Sequence, residues 1–205
     1  LSESLARRGE WDIDQIRWMG LQQGTFGLDG HLYSRKGAGV SLLALPLTWL
    51  GLIIPNWGPA TTALLFNAIV TAATGALLLC YVCALGYDDS TALAVGLIFG
   101  LATLAWPYAK TFFSDPLAGS CLLGAGLALL RFRSTSRATC ALWGGLALAV
   151  AVATRYANGI VVPLYALLLL KYQTANGKYQ IKNLKSVTSN LQPWIAFGVP
   201  LVITG

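Results

Sequence analysis

The chain has 205 residues, of which 56% are apolar types and only 11% are charged, against the ~25% charged residues usual in soluble domains. Residues 37–109 carry only two charges, Asp88 and Asp89, and residues 116–130, 138–154, 156–170 and 186–205 carry none. This spacing argues against a soluble globule, disorder, a disulfide scaffold and a membrane β-barrel, and points to a polytopic, all-α membrane protein.

Residues 1–40 form the first region. Residues 1–36 hold ten of the 22 charges, five of each sign, with Trp11, Trp18 and His31. Residues 1–11 suit a short amphipathic helix with Leu1, Leu5 and Trp11 near one face. Gly20, Gly24, Gly27 and Gly30 then impose turns. The expectation is a loop outside the bilayer with short interfacial helices. Residues 41–57 follow. SLLALPLTWLGLIIP, residues 41–55, is only 15 residues long and contains Pro46, whereas crossing the hydrocarbon takes ~20 helical residues. An interfacial helix, a re-entrant helix and a span all fit it.

Residues 61–205 read as a transmembrane bundle of about six segments. Spans are expected at 61–86, 91–109, 117–130, 138–154 and 157–170, with a last one beginning near Asn190. Ala92, Gly96 and Gly100 are spaced for close helix packing. Cys80 and Cys83 have CxxC spacing, but with no second pair or ligating histidine they read as small apolar residues one turn apart. The loop 131–137 holds three Arg and 171–185 holds four Lys, while the loops at Lys110 and Arg155 hold one basic residue each. The positive-inside rule puts the first two in the cytoplasm. Tyr33–Lys36, Asp115 and Arg155 then share the outer side, provided 41–55 does not span. The net charge of +6 reports orientation in the membrane, and no nucleic-acid partner is expected.

Several polar residues stand out against this background. Asp115 precedes Pro116, so it is expected at a helix N-cap. Capping is one reading of it; binding a metal or orienting a sugar beside Lys110 is the other. In YSRKGAG, residues 33–39, two cations precede a helix start, and the glycines would let backbone N–H groups approach a phosphate. Headgroup anchoring is the plainer reading, as it is for Arg155-Tyr156 at a span end. Asp12 and Asp14 fit either solvated loop acids or a metal or acid/base pair. His31 is the only histidine, which excludes a multi-His site within these residues. Asn67 and Thr71, one turn apart, read as bridges between helices.

Taken in order, SLARRGEWDID (4–14), GHLYSRKGAGVSLLALPL (30–47), GLATLAWPYAKTFFSDPLAG (100–119) and GLALAVAVATRYANGIVVPL (145–164) resemble the N-terminal membrane half of GT-C glycosyltransferases. The likeness is to the polyprenyl-phosphate-dependent bacterial group related to protein O-mannosyltransferases and the lipid A aminoarabinose transferase. It implies an enzyme of the bacterial cytoplasmic membrane that moves a sugar from a polyprenyl-phosphate carrier to a glycan, lipid or protein acceptor on the outer face. Lys36 and Tyr33 match that family's phosphate-contacting Tyr-x-x-Lys, with Gly37-Ala38 where proline is common. Arg35, Arg155 and Tyr156 are further candidates for phosphate contact. Asp115 matches its Asp-Pro acid, and Asp14 a frequent Ile-Asp. The likeness places the main catalytic acid before Leu1 and implies that these residues alone are inactive. A divalent metal, with Asp115 as a ligand, is compatible with the chemistry. A transporter whose polar residues line a pathway, and a non-catalytic membrane subunit of the same fold, are the alternative readings.

Overall fold

A computed structural model of the chain describes residues 1–22, 24–175 and 184–204. The described residues are mostly helical, with one two-stranded hairpin.

Helix α1 (Ser2–Arg8) ends at Gly9, whose φ of 71° closes the turn. Its buried residues are Ser2 and Ser4, and Trp11 is exposed, so the expected apolar face does not form. The polar face turns inward because Asp12 lies there: Arg8 donates to both the Ser4 hydroxyl and the Asp12 carboxylate. A 3₁₀ segment (Asp14–Gln22) leads to strands β1 (Gly24–Phe26) and β2 (Leu32–Ser34). They pair antiparallel, Thr25 opposite Tyr33, and Asp12 forms an isolated bridge to Tyr33. The expected layer of short helices is therefore partly a β-hairpin.

Residues 41–55 do not form one helix. Helix α2 (Gly39–Leu43) breaks at Ala44, and α3 (Leu45–Ile53) restarts with Pro46 in its first turn, where a missing N–H costs nothing. Nine residues reach only about 14 Å, under half the ~30 Å of a hydrocarbon core. Trp49 ties α3 to α1, its indole N–H donating to the Ala6 carbonyl at 3.1 Å.

Helix α4 (Pro59–Ala84) follows, then α5 (Asp89–Ala102), which Asp88 caps by accepting the Thr91 N–H. The expected span over 91–109 is interrupted: the backbone is extended at Thr103 and restarts as α6 (Ala105–Tyr108). Helix α7 (Asp115–Thr135) runs through Arg131 and Arg133, so the expected basic loop 131–137 shrinks to Ser136 and Arg137. Helix α8 (Ala138–Thr154) ends at an extended Arg155. A 3₁₀ turn (Tyr156–Val161), α9 (Val162–Ala175) and α10 (Leu184–Thr204) complete the order. The Lys-rich loop expected to orient the chain lies mostly outside the described residues.

The centre of the bundle is α7, packed on α4 and α8, with α10 against α8. Gly145 makes that last contact: a Cβ there would stand 2.2 Å from the Phe197 carbonyl oxygen. One apolar cluster, built on Leu129, Phe132, Leu148 and Phe197, holds α7, α8, α9 and α10 together. A second, built on Val40, Ala44, Phe66, Val70 and Leu117, joins α2, α4 and α7 at the end where Asp115 lies.

Helices α4 and α7 are long and apolar enough to cross a membrane. In the most apolar stretch of α4 only 17% of residues are buried, which is the reverse of a soluble core helix. Helices α5 and α8, at 14 and 17 residues, reach about 21 and 26 Å. On α5, Leu93, Leu97, Ile98 and Leu101 are all more than half exposed, although Ala92 is fully buried. All four cysteines are free thiols.

Candidate functional site

Two separate groups of charged side chains emerge, and the residues singled out in the sequence divide between them.

The first lies in the hairpin layer. Asp14 accepts the Leu32 N–H at 2.7 Å through one oxygen and contacts His31 Nδ1 at 2.7 Å through the other. The Leu32 N–H, and then His31, hold the Asp14 carboxyl below the usual carboxylate range. His31 is raised in turn by its bond to Asp14, with Asp29 and Asp12 adding to the negative field. Asp12, 7% exposed, takes Arg8 at 2.8 Å and the Asp14 N–H at 3.2 Å. Tyr33 donates to Asp29 at 2.6 Å, and Arg35 donates to the Thr25 hydroxyl at 3.1 Å. Tyr33, Arg35 and Asp14 are thus committed to holding the hairpin on its base.

The second group gathers at the end of the bundle. Asp115 is the first residue of α7, and its N-cap is Ser114, so the expected capping role is not the one it plays. Its carboxylate instead receives the Arg155 guanidinium, a partner 40 positions away. Both side chains are about half exposed. Lys36 stands with its ammonium 5.2 Å from the Phe113 ring centre, two residues before Asp115. Lys110 sits likewise over Trp106 at 5.1 Å. Tyr156, beside Arg155, is 74% exposed.

The glycines after Lys36 have a packing role. A Cβ on Gly37 would stand 2.3 Å from the Ala153 carbonyl oxygen, and one on Gly39 2.6 Å from the Thr154 hydroxyl. Their bareness lets the loop press against the C-terminal end of α8, next to Arg155. At five residues, α2 is also too short for a useful dipole.

Asp115 and Pro116 edge an apolar cavity of about 560 Å³. It follows α7 past Gly119 and Ser120 to Leu123, about 12 Å along the helix, between α4 (Thr71, Thr74, Leu78) and the α5–α6 break (Phe99, Thr103–Ala105, Tyr108). A smaller cavity of about 360 Å³ shares Thr71 and Phe99.

Asn67, expected to bridge helices, bonds to a loop instead. It is fully buried and donates to the carbonyls of Thr111 at 2.7 Å and Phe113 at 2.9 Å, so it grips the loop before α7. Thr71 has a buried hydroxyl with no partner among the described residues. The Phe113 contact to Lys36 had no signal in the sequence beyond an aromatic in an interfacial loop.

A metal finds little support in either group. Asp115 has its carboxylate on Arg155 and, among the described residues, belongs to no group of three metal-competent side chains. Among the described residues, Asp12, Asp14 and His31 bring metal-competent atoms within 4.8 Å of one another. Both Asp14 oxygens and Asp12 Oδ1 already accept from Arg8, His31 and backbone N–H groups, so a cation on those three atoms would compete with donors already in place.

No family model matches the chain, and neither does any curated protein or any solved structure.

Proposed function

We propose that the chain belongs to an integral membrane glycosyltransferase of GT-C type, which transfers a sugar from a polyprenyl-phosphate donor to an acceptor on the outer face of a bacterial cytoplasmic membrane. The observation that supports this reading is an exposed Asp115–Arg155 pair whose Asp115 edges an apolar cavity, with Lys36 over the ring of Phe113, two positions before Asp115. An amphiphile with an anionic head suits that combination. The prenyl chain lies in the cavity between α4 and α7. Lys36 and Arg155 take the phosphate, whose negative charge grows as it leaves. The acceptor hydroxyl bonds to the anomeric carbon as the carbon–phosphate oxygen bond breaks with its electron pair. Asp115 takes the hydroxyl proton or orients the sugar for attack. Asp14 receives no chemical role, since both its oxygens are committed to the hairpin.

The test uses the full-length protein in proteoliposomes with a polyprenyl-phosphate sugar. Lys36→Ala and Asp115→Asn should each lower transfer by roughly a hundredfold or more, the scale of losing an electrostatic or proton-transfer group. Membrane insertion should be unchanged. Full transfer by both variants would overturn the site. A cysteine at Ser34 should label from outside the cell and one at Ser134 from the cytoplasm; labelling of both from one side overturns the topology.

A further inference from the structure

We propose that Asn67 is a positioning residue for the Asp115–Arg155 pair, its carboxamide holding the loop from which Asp115 begins α7.

A buried amide on an apolar helix is an expensive choice, and this one is only half satisfied. Asn67 is 0% exposed, and its two N–H donors go to the carbonyls of Thr111 and Phe113. Its own Oδ1 has no partner among the described residues. The orphaned acceptor offsets much of what the two bonds contribute, so net stability is a weak reason for asparagine here. What it supplies that leucine cannot is geometry. One rigid planar group fixes two carbonyls two residues apart. Between them, Phe112 sets its ring edge-on to Phe66 at 6.4 Å, the neighbour of Asn67 on α4. Helix α4 therefore grips residues 111–113 by an amide and a ring together.

That loop carries both halves of the site. Phe113 meets the Lys36 ammonium on one side, and Asp115 meets Arg155 two residues later. Among the described residues, the loop N–H groups of Lys110 and Thr111 make only local turns, to the Pro107 and Tyr108 carbonyls. Releasing the clamp lets Phe113 and Asp115 drift from Lys36 and Arg155, which are seated on α8.

The activity half of the test rests on the glycosyltransferase reading, and the structural half does not. Asn67→Leu removes both donors. Asn67→Asp, near in shape, offers two carbonyls a single O–H donor when protonated and none when ionised, and it covers the case in which leucine misfolds. In lipid nanodiscs, hydrogen exchange of the amides of residues 110–115 should rise at least about tenfold in the leucine variant and less in the aspartate variant. Exchange in the hairpin, residues 24–34, should not change. In transfer assays of the full-length protein, kcat should fall about tenfold or more with KM within about twofold, because binding groups remain and their alignment is lost. A merely structural defect would lower the amount of folded enzyme and leave its kcat and loop exchange untouched. Unchanged loop exchange in both variants overturns the proposal, as does a loosened loop with wild-type kcat. If the wild type itself transfers no sugar, the glycosyltransferase reading fails, and the exchange result alone decides the clamp.

Discussion

Among the described residues, two of the carboxylate–cation arrangements are held in opposite ways. In the hairpin layer, Asp14 and Asp12 gather donors from several directions: backbone N–H groups of Leu32 and Asp14, the Arg8 guanidinium and the His31 ring. At the end of the bundle, Asp115 has the Arg155 guanidinium, with both side chains about half in solvent. The first group is held by several donors that fix the hairpin on its base. The second has a single guanidinium on one oxygen, and its carboxylate edges an apolar cavity. The number of donors a carboxylate has gathered, rather than its charge, separates the two arrangements.

The contrast can be broken by experiment, beginning where the two regions touch. Gly37→Val puts a branched side chain where even a Cβ would lie 2.3 Å from a backbone oxygen of α8. Backbone cannot yield as a side chain tip can, so the loss should be about 3 kcal/mol, with hydrogen exchange rising across residues 24–38. Less than about 1 kcal/mol would mean that the loop does not press on α8.

Within the hairpin layer, Asp12→Ala should cost about 2 kcal/mol, since it strips a buried acceptor from Arg8 and from the Asp14 N–H. A denaturation midpoint equal to wild type would place Asp12 among solvated acids. The pH dependence of the same layer follows from the two shifts. His31 is raised by Asp14, so its contribution is complete below its ordinary value of 6.5 and is lost as pH rises through the raised one. Asp14 is lowered by the Leu32 N–H and His31, so its contribution is complete above its ordinary 3.8 and is lost as pH falls through the lowered value. Opening of the hairpin, read from the pH dependence of amide protection after correction for intrinsic exchange, should therefore be rarest between those limits. His31→Ala should flatten the alkaline side; an unchanged profile would show that the pair does not hold the strands.

The smallest effect on stability is expected at the bundle end. Arg155→Ala should change it by less than about 1 kcal/mol, as for exposed ion pairs generally, while lowering sugar transfer sharply. A large stability loss would return Asp115 and Arg155 to a structural role and erase the contrast.

The parts legible in the sequence are those that composition and spacing encode. The span expected at 61–86 appears as the helix Pro59–Ala84, long and apolar enough to cross a membrane, and 138–154 appears as the shorter apolar helix Ala138–Thr154. Helix α7 runs further than expected because RFRST reads as polar, whereas arginine is a good helix former. The hairpin escaped notice because strands of three residues are too short to show alternation. Lys36, Asp115 and Arg155 could each be named from local pattern. Their meeting could not, since it depends on glycine contacts and a clamp linking residues 40 or more positions apart.

The closeness of Gly37 to α8 has a mechanical consequence. Lys36 and Arg155 ride on the same small body, one on the loop wedged against the carbonyls of α8 and the other on the residue that ends it. A tilt of α8 would carry both cations together and leave their spacing intact. Asp115 reaches that body from α7, the helix packed against α8 at the centre of the bundle. Its pair with Arg155 therefore also ties the two helices together at the end where both cations stand.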